Sequence, residues 1–388
     1  MNQKTICPVC GSSSLNQFLQ RNQIPIHQNL VMKNREAAVQ IERGDLNMLV
    51  CHECGFIFNQ AFEWAKIAYG ENYDNTQSHS PYFEQYLDKI THYLISEKNV
   101  RNSKIVEVGC GKGGFLKGLI DYKGANNIGY GFDPSYVGPR ADLDGRLIFE
   151  QRYYGPDCTD IAADVVICRH VIEHVPSPIE LLTAVRKALE QSPHARVFFE
   201  TPCVEWILRN QVIWDFFYEH CSLFSKASLT TAFERAGFQV DKVQHIFKSQ
   251  YLWLEASLPN KPLKITKNSG EMSQLAEQFT VSEQKLKTAW PHKIQSLLTK
   301  GKIAVWGAGA KGITFVNLID PFGQILDCIV DLNPNKQGCY APGTAHPIVN
   351  YQELQKRGVT HAILMNPNYR DENMGLLSNA KIQVELVE

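Results

Sequence analysis

Residues 104–116 read Lys-Ile-Val-Glu-Val-Gly-Cys-Gly-Lys-Gly-Gly-Phe-Leu. Ile105, Val106 and Val108 give the apolar run of a parallel strand covered on both faces. Gly109, Gly111, Gly113 and Gly114 follow at once, and without Cβ atoms they let the backbone bend sharply and approach a ligand closely. A buried strand feeding a glycine turn commits this part of the chain to an open α/β sheet. The spacing of Gly109, Gly111 and Gly114 also satisfies the dinucleotide fingerprint. Glu107 separates the two ligand classes. A carboxylate just before the turn repels a diphosphate and attracts a cation, such as the ammonium of a methionine moiety. The turn therefore reads as a site for S-adenosylmethionine built from Glu107, Gly109, Gly111 and Gly113.

Four of the 11 cysteines form two pairs, Cys7/Cys10 and Cys51/Cys54, each a CxxC followed by glycine (Gly11, Gly55). Two such knuckles complete a closed four-thiolate site, the pattern of structural rather than catalytic zinc. A block of some sixty residues builds only a small core, so the metal would contribute folding free energy. Reduced cysteines or redox pairs are the competing reading. An odd number of cysteines with no secretory signal argues against a disulfide framework.

A chain of 388 residues exceeds one typical domain. Three are expected: a zinc-binding domain over 1–64, a class I methyltransferase Rossmann-like α/β domain over 65–257, and a second Rossmann-like α/β domain over 258–388. An aromatic-rich, helical stretch is expected over 61–100. Strand–helix alternation runs from 104 to about 255, a linker over 258–270 and an amphipathic helix over 271–298. The second α/β unit opens at Lys302-Ile-Ala-Val-Trp-Gly-Ala-Gly-Ala-Lys-Gly312. Lysine plus arginine (39) nearly balance aspartate plus glutamate (40), so no basic footprint for nucleic acid or an anionic membrane exists. No apolar run approaches the roughly 20 residues of a membrane span. The expected setting is cytoplasmic and the expected partner a small molecule.

Asp133 stands nineteen residues after Gly114, at the end of the next strand, where an acidic group takes ribose hydroxyls. It can equally cap the turn at Pro134. The strand Ala163–Cys168 runs into Arg169-His-Val-Ile-Glu-His-Val175. Its carboxyl end faces the ligand crevice of such a sheet, bringing His170, Glu173 or His174 toward the reaction centre, or into the core as hydrogen-bonded residues. In the second glycine turn, Val305 occupies the place of Glu107. That turn tolerates a phosphate at its helix N-terminus, or is a copy kept for packing.

Taken in order, these features resemble the three-domain C-methyltransferases of nucleotide-linked deoxysugars. The resemblance is carried by the paired CxxC block, by Glu71-Asn-Tyr-Asp-Asn-Thr-Gln-Ser-His-Ser80 and by the glycine motif at 107–113. Phe217-Tyr-Glu-His-Cys-Ser-Leu-Phe-Ser225, the second glycine turn and Val330-Asp-Leu-Asn-Pro-Asn-Lys-Gln-Gly338 with Pro342-Gly-Thr344 complete it. The sugar enzymes usually carry a paired-tyrosine, serine-rich stretch where this chain has Asn75–Ser80. The resemblance implies a catalytic base in Tyr218-Glu219-His220, accompanied by Tyr73 and His174, and a nucleotide end of the substrate held by the C-terminal domain.

The expected chemistry is S-adenosylmethionine-dependent C-methylation of a nucleotide-linked ketosugar. His220 would remove a proton next to a carbonyl, with Glu219 tuning it. The alternatives are an O- or N-methyltransferase on another small metabolite, an NAD-dependent oxidoreductase using the second turn, and a zinc-ribbon interaction protein.

Overall fold

The computed structural model describes residues 5–67, 73–158, 160–259 and 271–388. The expected linker lies almost wholly outside them, as do Tyr69 and the Glu71-Asn72 end of the motif segment. Three sheets organise the described residues. The first contains β1 (Leu15–Pro25), β2 (Arg43–Cys51) and β3 (Ile57–Asn59), paired antiparallel. β1 is mostly polar and was not evident in the sequence. It forms because Phe18 and Leu19 pack under the sheet while its backbone pairs along β2.

The second sheet holds β4 (Lys104–Val108), β5 (Ile128–Phe132), β6 (Ala141–Asp142), β7 (Leu147–Glu150), β8 (Val165–Arg169) and β9 (Arg196–Pro202). β10 (Ser222–Leu223) leaves to pair with β3 in the first sheet. β11 (Gln239–Ile246) and β12 (Tyr251–Ser257) return to the second, giving the order β11-β12-β9-β8-β4-β5-β7-β6. β12 runs antiparallel to β9, whereas β4, β5, β7, β8 and β9 are parallel. β4 is central, and Ile105 and Val106 are fully buried. Burying such a side chain contributes about 1.5–3 kcal/mol, which is why this apolar run fixes the middle of the sheet. The chain order reverses between β4 and β8, and there the carboxyl ends of an open sheet leave a crevice.

The third sheet is wholly parallel: β13 (Lys302–Trp306), β14 (Cys328–Val330), β15 (Ile348–Val349), β16 (Val359–Leu364) and β17 (Glu385–Val387), in the order β15-β14-β13-β16-β17. It repeats the central plan of the second sheet. At Gly312 a Cβ would lie 1.8 Å from the Gly307 carbonyl oxygen, so only glycine lets the helix Ala310–Ile319 pack onto the end of β13.

The helix Glu271–Leu298 ties the first and third sheets together. Met272, Leu275, Ala276 and Phe279 recur at helical spacing and enter the core under β1 and β2, while Trp290 and Ile294 enter the core of the third sheet. Arg21 secures the joint. It donates to Glu283 at 2.9 Å and to the carbonyls of Phe216 and Ile213. Of the helix expected over 61–100, the described residues form only 81–97 and one short turn at 64–66. Ser80 caps the helix by accepting from the Phe83 amide, and Pro81 occupies its first turn, so 73–80 stays outside the helix, with a turn at 78–79, and lines a cleft. Among the described residues no helix is long and apolar enough to cross a membrane.

Candidate active site

The glycine turn after β4 packs against the loop after β8. A Cβ at Gly109, whose φ is 71°, would lie 2.1 Å from Val171 Cγ2. The amides of Gly109 and Cys110 donate to the Phe132 carbonyl, and Gly111 donates to Asp133 Oδ2 at 2.8 Å. Asp133 Oδ1 accepts from the amide and hydroxyl of Ser135. Asp133 thus braces the turn and caps its own. Glu107 is buried, and its Oε2 has no hydrogen-bond partner among the described residues. Burial pushes its carboxyl up to about 8, against the pull of the Arg169 charge. A buried oxygen left unsatisfied costs about 1–3 kcal/mol, and an ammonium donor from a bound methionine moiety would satisfy it. The residues present fit S-adenosylmethionine on that ground.

At the end of β8, His170 adopts a left-handed backbone (φ 54°) that turns its ring between two carboxylates. Nε2 meets Glu200 at 3.0 Å and Nδ1 meets Glu173 at 3.3 Å. Burial opposes the imidazolium, but the charge of Glu200 and the bonds to both carboxylates win, and its pKa rises to about 9. Glu200 also accepts from Arg169 at 2.6 Å and from the Tyr86 hydroxyl at 2.6 Å. Burial pushes Glu200 the other way, yet Arg169 and His170 draw it down to about 2. His170 is therefore a fixed cation on the cleft wall.

The cleft itself, about 300 Å³, opens between the second and third sheets. Tyr73, His170, Glu173, His174 and His220 line one side, with the second glycine turn and Asp331 opposite. His174 and His220 meet edge to face at 4.8 Å. Burial first, then the nearby His174, His170 and Lys311, hold His220 well below the usual imidazole range. Burial and the Glu219 charge raise the Tyr73 phenol, so it stays a proton donor. Glu219 is fully buried behind the cleft. It accepts from the Gln28 amide at 2.9 Å and pairs with His27 Nδ1 at 3.2 Å. Tyr218 is taken elsewhere. Its hydroxyl accepts from the Glu63 amide, and its ring covers Gly44 and meets Phe62.

Sequence reasoning missed several cleft residues. Lys336 is buried, donating to the Ala308 carbonyl at 3.0 Å and to Asn29 Oδ1 at 3.3 Å. Lys311 pairs with Asp215 at 2.9 Å. Asp74 accepts from Lys112 of the first turn and from Asn335 of the third-sheet unit. Lys336, Lys311 and Asp74 each lie in a segment that carries the resemblance, respectively Val330–Gly338, the second glycine turn and 71–80, but no local pattern told that these segments meet.

The sulfurs of Cys7, Cys10, Cys51 and Cys54 cluster, with Cys7–Cys54 at 3.6 Å and Cys10–Cys51 at 3.4 Å. Four thiolates about 2.3 Å from a zinc ion would stand about 3.8 Å apart, so the donor set fits that metal.

A parallel sheet reversing at a glycine turn, with a buried carboxyl behind that turn, is the arrangement of a class I S-adenosylmethionine-dependent methyltransferase. Residues 79–243 match the family described as a methyltransferase domain, and residues 267–383 match the C-methyltransferase C-terminal domain. The C-methyltransferase NovU of Streptomyces niveus is 23% identical over 385 residues, spanning 94% of this chain and 90% of that protein. A ubiquinone biosynthesis O-methyltransferase of Pseudomonas syringae pv. tomato is 30% identical over 117 residues, 28% of this chain and 48% of that one. Among solved structures, the Burkholderia thailandensis 1,6-didemethyltoxoflavin-N1-methyltransferase, with bound S-adenosylhomocysteine, covers 46% of this chain and 86% of its own at 13% identity and a TM-score of 0.33. The chain is an S-adenosylmethionine-dependent methyltransferase, and its C-terminal unit is similar to the C-terminal domain of C-methyltransferases.

Proposed function

We propose that this enzyme methylates the carbon next to a carbonyl in a nucleotide-linked ketosugar, with His220 as the base. The observation that carries the reading is an imidazole held in its neutral form on the wall of the cleft between the cofactor sheet and the C-terminal unit. A neutral ring accepts a proton at physiological pH. The acceptor C–H bond breaks, the proton passes to His220, and the electron pair delocalises onto the carbonyl oxygen as an enolate. Tyr73 and His174 face the same space and can donate to that oxygen, a contact of about 3 kcal/mol in a preorganised site. Glu219, fixed by His27 and Gln28, positions the His220 loop, and Tyr218 anchors that loop to the N-terminal lobe. When bound, S-adenosylmethionine supplies the electrophilic methyl group, held by Glu107, Gly109, Gly111, Gly113 and Asp133, with His170 fixed beside it. Cys7, Cys10, Cys51 and Cys54 would hold a structural zinc.

A nucleotide end of the acceptor is supported by the second turn. No carboxylate precedes it, it opens a helix, and the Lys336 ammonium lies against it. The similarity to NovU, a C-methyltransferase, supports carbon as the methylated atom. The test is mass spectrometry of ligands that co-purify with the protein, followed by NMR of the product and an assay of His220→Ala. A C-methyl ketosugar and near-complete loss of activity in the variant are expected. An O- or N-methyl product, or a variant of undiminished rate, overturns the reading.

A further inference from the structure

Glu173, His174 and His220 form more than an acid–base group. Each offers one donor atom, and the three donors lie within 4.8 Å of one another. Two imidazoles and a carboxylate are the donor set that suits zinc, nickel, copper or iron. Bonds of about 2.0–2.1 Å from one tetrahedral ion need donors roughly 3.3 Å apart, so modest side-chain rotations close the set. A second observation is independent of the first. Nδ1 of His220 is buried and has no hydrogen-bond partner among the described residues, although such a group is costly to leave unsatisfied. Glu173 is already oriented for the purpose. Its Oε2 accepts from Thr201 at 3.0 Å and its Oε1 meets His170, so the carboxylate is held in place from behind. The cleft leaves space on the open side for water or an acceptor oxygen to complete the coordination.

We propose that Glu173, His174 and His220 bind one divalent transition-metal ion, and that this ion competes with the acceptor's proton for His220. The first clause stands on the donor set alone. The second rests on the base assignment proposed above. Binding the ion would silence the transferase reversibly, since a lone pair shared with the metal cannot accept a proton.

The test is calorimetric titration of Ni²⁺ into the full chain pre-loaded with one equivalent of Zn²⁺ for the four-thiolate site. One further equivalent of Ni²⁺ is expected. His220→Ala and His174→Gln should each weaken it by roughly tenfold or more, at least the loss seen when only an outer partner of a ligand is removed. His245→Ala, which disrupts the separate Cys203/Glu205/His245 group, should leave it unchanged. Retained S-adenosylhomocysteine binding shows that each variant is folded, and either histidine variant suffices if the other fails that check. No second equivalent in the native chain, or an undiminished one in the folded variants, overturns the site. Ni²⁺ inhibition of methyl transfer, reversed by chelator, is the expected kinetic counterpart. Ni²⁺ binding with undiminished transfer would overturn the competition and the base assignment while leaving the metal site intact.

Discussion

At residue 107 the strand before the first glycine turn carries glutamate; at the matching residue 305 the second carries valine. Almost everything else about the two turns agrees. Each begins with a glycine amide donating to the last residue of the next strand, Phe132 in one and Val330 in the other. Each is braced by the aspartate that follows that strand. Asp133 accepts from Gly111 and Ser135, and Asp331 accepts from Ala308 and Asn333, all at 2.7–2.8 Å. Both sheets place the turn at the central strand where the order reverses. The shared frame presents backbone amides at a helix N-terminus. On the reading proposed above, the side chain behind them decides which charge the pocket favours, glutamate a cation and valine, with Lys336 donating to the Ala308 carbonyl of the same turn, an anion.

That contrast can be broken most forcefully at the backbone. Gly109→Ala places a methyl against Val171 in a left-handed conformation, and strain of this kind, ~1–3 kcal/mol, should weaken S-adenosylhomocysteine binding about tenfold or more. Gly309→Ala, with φ −88° and open space around it, should leave that affinity unchanged. Calorimetry on both variants decides whether the two turns are as separate as their charges suggest.

Glu107→Gln should cost S-adenosylmethionine roughly tenfold, the weight of one charge-assisted hydrogen bond. Because burial pushes Glu107 up to about 8, the ligand-free carboxyl is largely protonated at neutral pH. Pairing with the ligand ammonium ionises it, so binding should release close to one proton at pH 7. Titrations in buffers of different ionisation enthalpy measure this, and proton-neutral binding would refute the pairing. The mirror experiment is Lys336→Met. It should weaken a nucleoside diphosphate several-fold, by about 1 kcal/mol, and leave S-adenosylhomocysteine affinity as it was; equal losses for both ligands would erase the distinction between the turns.

The smallest expected effect is on stability. The folded pKa of His170, about 9, lies above its ordinary 6.5. Its contribution is therefore fully present below 6.5 and is lost as pH rises through 9. Thermal melts between these limits should show a decline that His170→Gln removes. A variant with the same pH profile as the native chain would show that the Glu200–His170–Glu173 array gives no net stability.

Local patterns were legible in the sequence, and long-range convergence was not. The strand–turn units at 104–116 and 302–312 could be read because apolar runs and glycines are local signals. The four cysteines could be read because CxxC knuckles are self-contained. By contrast, aromatic density over 61–100 suggested one helix, yet Ser80 and Pro81 start it late, since a cap overrides composition. Tyr218 sits beside Glu219 and His220 in sequence, but the loop turns each to a different surrounding. Asn29, Asp215 and Lys311 reach the cleft from three parts of the chain, and no spacing rule announces such a meeting.

β10 is only two residues long, but it is the strand by which the His220 loop joins the cysteine-bearing sheet, where Ser222 pairs with Phe58 and Leu223 with Ile57. The lobes are therefore not interchangeable cassettes. A chimaera that exchanges the N-terminal lobe between relatives must carry residues 217–225 with it, or the grafted edge will meet a strand chosen for another partner. If the four cysteines hold zinc and His220 is the base, as proposed above, stripping the metal from the lobe should be felt first as misplacement of that base, before any gross unfolding.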